Sequence, residues 1–171
     1  KQMRISVRKG DIMHFLEELS HIFDIVAGER EIDFIVNLED TEEEVWFSPS
    51  KLERILYNLL SNAFKYTQPG GYVKLSAKLI KEEKGTFVQI SVKDNGRGIP
   101  KEAQEQIFES YYQVEKRDHR EGFGLGLSLT RSLIHMHKGE IRVESEINKG
   151  SDFIVTLNVS EDAYNPDERS S

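Results

Sequence analysis

Apolar residues recur every three to four positions in two stretches of the chain, which predicts two amphipathic helices. The first stretch follows Asp11, a good helix-capping residue, and is expected to end at Gly28. The second follows Ser48 and Pro49, which suit the cap and the first turn of a helix, and ends at the turn 68–71. A short helix near 101–108 and another over 125–137 are also expected.

Other segments alternate between apolar and polar residues or are rich in strand-forming residues. The predicted strands are 4–8, 32–38, 45–47, 72–80, 86–94, 140–145 and 153–159. The strands 72–80 and 86–94 are separated by a short charged turn, which favours an antiparallel hairpin. This order of elements predicts an α+β fold, a two-layer sandwich in which about three helices cover a mixed, mainly antiparallel sheet.

Composition narrows the possible functions. The net charge is −7, which argues against nucleic-acid binding because that function leaves a basic surface. The chain has no cysteine, so disulfides, thiolate metal sites and cysteine nucleophiles are excluded. No apolar run approaches the ~20 residues that a membrane-spanning helix needs, so direct membrane insertion is not expected.

Two glycine-rich segments are candidates for ligand binding. "DNGRGIP" places Gly96 and Gly98 after a predicted strand, and "GFGLGL" leads into a predicted helix. A glycine loop before a helix presents free backbone N–H groups to an anion such as phosphate. Neither segment matches the dinucleotide or Walker fingerprints, and each taken alone is more often a flexible turn.

The order of four motifs is more informative than any one of them. The segments "NLLSNAFKYT", "DNGRGIP", "IFESYYQ" and "GFGLGLSL" follow one another in the chain. In this order they resemble the catalytic, ATP-binding domain of bacterial sensor histidine kinases, which shares the Bergerat-type fold of gyrase, a heat-shock chaperone and mismatch-repair ATPases. The resemblance covers residues 10–159 and implies ATP and Mg²⁺ as cofactors. Residues 1–10 would then extend from missing dimerisation helices, and 160–171 would be a polar tail or linker.

The resemblance assigns roles on the predicted helix at 49–66. Asn62 would give its side-chain oxygen to Mg²⁺, a metal that prefers oxygen ligands. Asn58 would orient phosphates or water, Lys65 would bring positive charge to the phosphates, and Tyr66 would lie against the nucleotide. Without the glycine segments, the two asparagines would be read as ordinary solvent-facing residues.

The resemblance also implies how the base is bound. The carboxylate of Asp94 would accept a hydrogen bond from the adenine amino group, although Asp-Asn-Gly is also a common turn. Gly96 and Gly98 would keep the pocket wall thin, and Ile99 would contact the base.

Residues 113–124 would form a lid over the triphosphate, positioned by the aromatic residues Phe108 and Tyr111. The ATP-binding positions expected in and after the lid are Gln113, Gly122, Phe123, Gly124, Leu125, Gly126 and Leu127. Two of them depart from the family pattern. Gln113 stands where an arginine is frequent, and Phe123 stands where a small hydroxyl residue is common.

The implied function is transfer of the γ-phosphate of ATP to a histidine in two-component signalling. None of the five histidines has the sequence context of a phosphoacceptor, so structural roles are expected for all of them. The partners would be the phosphoacceptor helices of the same full-length protein and, indirectly, a response regulator. The isolated domain would be a monomer and the cytosolic part of a membrane-bound sensor. Two alternatives stay open: a conformational ATPase of the same superfamily, and a non-catalytic regulatory module.

Overall fold

A computed structural model describes residues 4–109 and 127–170. The helices are α1 (Ile12–Ser20), α2 (Phe23–Arg30), α3 (Pro49–Tyr66), α4 (Lys101–Gln104) and α5 (Leu127–Met136). The strands are β1 (Val7–Asp11), β2 (Asp33–Leu38), β3 (Glu44–Phe47), β4 (Tyr72–Glu82), β5 (Gly85–Asp94), β6 (Glu140–Glu146), β7 (Gly150–Asn158) and β8 (Arg169–Ser170). Two short 3-10 helices, Glu161–Ala163 and Pro166–Glu168, precede β8.

The main sheet has five strands in the order β2-β4-β5-β7-β6. Only the β2–β4 pair is parallel, and the other three pairs are antiparallel. Helix α3 contacts β4 and β5, and helix α5 contacts β6 and β7. Helices α1 and α2 contact β2. The structure therefore confirms the predicted α+β, mainly antiparallel two-layer fold.

Helix α3 positions the candidate site, and its sequence explains its limits. The Ser48 side chain caps the helix by accepting from Lys51 N at 3.4 Å, and Pro49 occupies the first turn. The apolar stripe faces the sheet and is almost completely buried; it comprises Leu52, Ile55, Leu56, Leu59, Leu60, Ala63 and Phe64. The polar side chains of the helix are left on its other faces.

The prediction of one helix from Asp11 to Gly28 is wrong in one respect. Asp11 does cap α1, but the helix ends at Ser20, and a turn at His21 and Ile22 separates it from α2. This turn rotates α2 so that Phe23 enters the core, whereas Ile22 is 55% exposed. Gly28 lies inside α2, and Glu31 ends that helix in a left-handed conformation.

The segment at 160–170 is folded where a linker or frayed tail was predicted. Tyr164 is 2% exposed, and its hydroxyl donates to Asn158 O at 2.6 Å. Strand β8 pairs in parallel with β1, and the small sheet has the order β3-β1-β8. The tail has few apolar residues, so its order depends on one buried tyrosine and on pairing with residues far away in the sequence. The predicted first strand is also shifted, because β1 covers residues 7–11 rather than 4–8.

His137 is a structural histidine, as the sequence predicted. It is fully buried, and its Nε2 accepts from Ser48 N at 3.1 Å while its Nδ1 faces Leu133 O at 3.1 Å. Burial lowers the pKa of His137 to about 4, so the ring is neutral at neutral pH. The ring thereby ties the start of α3 to the end of α5.

Within residues 4–109 and 127–170, no helix combines the length and apolar character needed to cross a membrane.

Candidate functional site

A cavity lies between the C-terminal half of α3 and the segment that follows β5. Asn62 and Tyr66 line it from α3, and Asp94 and Ile99 line it from the end of β5 and the segment that follows. Phe153 of β7 also contributes to the wall. Gly98 is in the lining too, so the structure brings together five of the residues that the sequence predicted for one ligand site.

Asp94 is a buried carboxylate at one wall of this cavity. It ends β5, is 6% exposed, and its Oδ1 accepts from Gly96 N at 2.8 Å. Burial raises the pKa of Asp94 from 3.8 to about 6, and hydrogen bonds from the backbone N–H groups of Gly96 and Ser151 oppose that rise. An ionised carboxylate has about four acceptor positions, so Asp94 can accept from a ligand N–H group as well as from these two backbone groups.

Asn62 lines the same cavity from α3. Its Nδ2 atom is buried and has no hydrogen-bond partner within residues 4–109 and 127–170. A buried polar atom without a partner is costly unless a ligand or water completes its bonding. The amide of Asn62 is therefore available to a bound group, and its oxygen is a suitable ligand for Mg²⁺.

Asn58 and Lys65 are placed differently from Asn62. The Nδ2 of Asn58 donates to Thr130 Oγ1 on α5 at 3.0 Å, and Asn58 lines a separate cavity between α2 and α3. Lys65 is exposed, with its ammonium 5.4 Å from the centre of the Tyr66 ring. Both residues lie beside the main cavity rather than among its lining residues.

The remaining predicted positions fall into two groups. Leu127 lies in α5 and is fully buried, so its side chain contributes packing. The other lid positions, Gln113, Gly122, Phe123, Gly124, Leu125 and Gly126, lie outside the described residues, as does Tyr111.

The two glycines of "DNGRGIP" permit close backbone contacts. A Cβ on Gly96 would collide with the backbone oxygen of Tyr66, and one on Gly98 would collide with that of Glu146. Gly98 also has a φ of +76°, which L side chains rarely adopt. The Gly96 contact holds the loop against the end of α3, and the Gly98 contact holds it against the end of β6, so both help to shape the cavity.

We expect Gly96→Ala to lower the free energy of unfolding by roughly 2 kcal/mol or more, because the Tyr66 backbone must move to admit the methyl group. Chemical denaturation measures this loss. Gly28→Ala is the matched control. It adds the same methyl inside α2, where nothing lies within 4 Å, and should stabilise the protein by about 0.5–1 kcal/mol. Equal effects of the two substitutions would contradict the assigned role of Gly96.

Several site residues were not predicted from the sequence. The guanidinium of Arg97 lies 4.4 Å from the centre of the Tyr66 ring, and Arg97 N donates to Tyr66 O at 3.3 Å. Ser151 and Phe153 reach the cavity because β7 pairs with β5, which sets Ser151 opposite Asp94. The only sequence signal for Arg97 was its place between two glycines. The positions of Ser151 and Phe153 depend on strand register, which the sequence pattern does not give.

The arrangement suits a flat ligand that has an amino group and carries a polar chain. The apolar side chains of Ile99 and Phe153 can contact a ring, Asp94 can accept from an amino group, and Asn62 can bind a cation or water. Together, the two-layer fold and this cavity match the class of ATP-binding domains that the sequence motifs resemble.

Comparisons with known proteins agree with that class. Residues 47–161 match the family described as histidine kinase-, DNA gyrase B-, and HSP90-like ATPase, and the chain belongs to this family. The adaptive-response sensory kinase SasA of Synechococcus sp. strain JA-2-3B'a(2-13) is 39% identical over 134 residues, which are 78% of this chain and 34% of that protein. The sensor histidine kinase WalK of Bacillus subtilis strain 168 is 35% identical over 153 residues, 88% of this chain and 24% of WalK.

Solved structures give the same result. The catalytic domain of the histidine kinase ThkA has a TM-score of 0.78 at 26% identity, covering 94% of this chain and all of that domain. Full-length ShkA has a TM-score of 0.80 at 27% identity, covering 94% of this chain and 32% of ShkA. The resemblance inferred from the motifs is confirmed. The chain spans about a third or less of the length of the kinases SasA and WalK.

Proposed function

We propose that this chain binds Mg-ATP in the cavity between α3 and the end of β5. It then donates the γ-phosphate to a histidine on a separate phosphoacceptor helix pair. The presence of Asn62 and Asp94 in the lining of one cavity carries this proposal. The related kinase ShkA was solved in complex with AMPPNP, which supports an adenine nucleotide as the ligand.

In this proposal, Asp94 selects the base. Its carboxylate accepts from the adenine amino group, whereas the oxygen at that position of guanine would be repelled by the negative charge. Tyr66 and Ile99 bound the space for the base. The ring of Tyr66 is held by the guanidinium of Arg97 on one of its faces, a contact that restricts its motion.

Asn62 would hold the Mg²⁺ ion through its side-chain oxygen. A bound Mg²⁺ supplies charge neutralisation to the phosphates and prefers to complete its coordination with water and phosphate oxygens. Lys65, exposed beside Tyr66, adds a positive charge near the same end of α3. The chain's own contribution to transfer is therefore positioning and electrostatic attraction, since the imidazole of the acceptor is itself the nucleophile.

One observation favours phosphotransfer over ATP hydrolysis. The gyrase-type relatives use a glutamate, four residues before the metal-binding asparagine, as the base that activates water. Here that position is Asn58, whose amide cannot act as a base and whose nitrogen donates to Thr130. We therefore propose a kinase domain rather than a conformational ATPase. The response regulator would receive the phosphate later, from the acceptor histidine.

The proposal is tested by incubating the chain with γ-labelled ATP, Mg²⁺ and a phosphoacceptor helix fragment from the same full-length protein. We expect label on the fragment that is stable to alkali and labile to acid, as phosphohistidine is. Release of free phosphate without labelling would indicate the conformational ATPase instead. Binding of ATP with neither product would indicate a regulatory module.

A further inference from the structure

Ile99, an apolar residue in the lining of the candidate site, is held by side chains from two other elements. It lines the cavity and is 7% exposed. The backbone N–H of Ile99 donates to Ser145 Oγ on β6 at 2.8 Å. Its backbone C=O accepts from Gln104 Nε2 on α4 at 2.9 Å. Side chains therefore satisfy both polar backbone groups of a buried residue that lies outside the helices and strands.

The side-chain amide of Gln104 also joins Ile99 to β6. Besides Ile99 O, its Nε2 donates to Ser145 O at 3.0 Å, so both protons of the amide nitrogen are used. Because both partners are carbonyl oxygens, only a donor suits this position, and a carboxylate would place a negative oxygen against two acceptors. Gln104 and Ser145 are called the Ile99 clamp below, since one bonds the C=O of Ile99 and the other bonds its N–H.

Ser145 further connects the Ile99 clamp to the strand beside Asp94. It pairs with Ser151 across β6 and β7, and its Oγ lies 2.8 Å from Ser151 Oγ and 2.9 Å from Gly150 O. Ser151 in turn pairs with Asp94 on β5, and the Ser151 N–H is hydrogen-bonded to the Asp94 carboxyl. One hydroxyl therefore joins the loop that carries Ile99 to the strand whose N–H supports Asp94.

The Ile99 clamp acts from outside the cavity. Neither Gln104 nor Ser145 is among the lining residues, so their effect on a ligand must pass through the residues that they hold. A wall that is fixed before the ligand arrives needs no ordering on binding, whereas a wall that moves lowers the fraction of protein able to bind. The backbone bond from Asn148 N to Arg97 O, at 2.7 Å, holds the same loop independently. Loss of the clamp should therefore loosen Ile99 without unfolding the loop.

We propose that Gln104 and Ser145 are positioning residues for the base of the nucleotide. They fix Ile99 before binding and so raise the affinity for adenine without touching it. This inference deepens the proposed function and rests on it, because it requires the base to lie against Ile99. Substitution of either residue should weaken binding of the base and leave the contribution of Mg²⁺ unchanged.

Four variants test this role. Gln104→Glu keeps the shape and replaces the donor with an acceptor, and Gln106→Glu is its control, because Gln106 is exposed and the same charge enters the same segment. Ser145→Ala removes a hydroxyl, and Ser91→Ala is its control, because the Ser91 hydroxyl bonds Asp152 on the same sheet and Ser91 does not line the cavity. An NMR titration gives the dissociation constant of adenosine, and calorimetry gives that of ATP with Mg²⁺ and with EDTA.

We expect Gln104→Glu and Ser145→Ala each to raise the dissociation constant of adenosine about 3- to 10-fold, which corresponds to a binding-competent fraction of about 0.1–0.3. ATP affinity should fall by a similar factor, and the ratio of the ATP affinities with Mg²⁺ and with EDTA should keep its wild-type value. The two control variants should bind adenosine as the wild type does. The double variant should lose less than the product of the two single losses, because both side chains act through Ile99.

Unchanged adenosine affinity in either variant, equal losses in the controls, or losses that multiply in the double variant would overturn the inference. So would a changed magnesium ratio, which indicates a general distortion of the site, or a wild type that binds ATP but not millimolar adenosine. If Gln104→Glu does not fold, Ser145→Ala decides alone, because it removes a single oxygen atom. A wild type that binds neither ATP nor adenosine contradicts the proposed function, whereas ATP binding with unaffected variants contradicts this inference only.

Discussion

Asp94→Asn is expected to weaken ATP binding by about 10- to 100-fold, because a hydrogen bond to a charged group contributes roughly 1.5–3 kcal/mol. Asparagine keeps an oxygen that can accept from Gly96 N, so the loop retains its local bond. What the substitution removes is the negative charge that faces the ligand. Calorimetric titration with ATP measures the loss, and Asp33→Asn, an exposed residue of β2, is the matched control.

The same substitution should not destabilise the ligand-free protein. Burial raises the pKa of Asp94 to about 6. Between pH 4 and 6 the Asp94 carboxyl is therefore ionised in the unfolded chain but still largely protonated in the folded protein. The free energy of unfolding consequently falls as the pH rises through this range. At pH 7 the buried charge lowers stability by roughly 2–3 kcal/mol relative to a neutral side chain. We expect Asp94→Asn to be at least as stable as wild type at pH 7, with the difference vanishing near pH 4. Reduced stability at pH 7 would contradict this account.

The charge of Asp94 should also make base binding dependent on pH. Adenosine has no group that titrates between pH 5 and 8, so its affinity reports on the protein. Wild-type affinity is expected to fall as the pH drops through about 6, where the carboxylate takes up a proton. Asp94→Asn should bind adenosine weakly and equally at all these values. A wild-type affinity that is constant with pH would argue against a titrating carboxylate at the base.

Asn62→Ala is expected to abolish the contribution of Mg²⁺ to ATP affinity, a loss of roughly tenfold or more, as for other changes at metal sites. The fold should be intact, because alanine is a better helix former and the buried Nδ2 of Asn62 lacks a protein partner in the described part of the chain. Titrations with Mg²⁺ and with EDTA measure the effect. In EDTA the variant and the wild type should bind alike.

Ser61→Ala is the control for Asn62→Ala, since Ser61 neighbours it on α3 but does not line the cavity. It should leave both titrations unchanged. If Asn62→Ala retained full magnesium dependence, the metal would have to be bound elsewhere, and the assignment of Asn62 would be wrong.

Local patterns predicted the parts of the fold that local interactions determine. The apolar stripe of α3, its serine cap and the hairpin of β4 and β5 all follow from residues close together in sequence. The break between α1 and α2 was missed because the apolar spacing continues through it. The order of the segment 160–170 was missed because it depends on Tyr164 and on pairing with β1, which is more than 150 residues away.

The candidate site was likewise predicted only in part from the sequence. Asn62 and Asp94 were predicted from motifs, and the structure places both at one cavity. The partners that orient the site were not predicted. Arg97 contacts Tyr66, Thr130 contacts Asn58, and Ser151 lies opposite Asp94, and each contact joins two different elements. Such contacts depend on strand register and helix packing, which a single sequence does not specify.

The central claim is that Mg-ATP binds between Asn62 and Asp94. The most direct measurement is a titration of the isotope-labelled protein with Mg-ATP, in which the amide resonances are monitored in a two-dimensional NMR spectrum. The account predicts that the largest shifts occur at the side-chain amide of Asn62 and at the backbone amides of Asp94, Gly96 and Ile99, and that GTP at the same concentration leaves them nearly unchanged. Saturating Mg-ATP that shifts none of these resonances, or that shifts only resonances remote from the cavity, would contradict the claim.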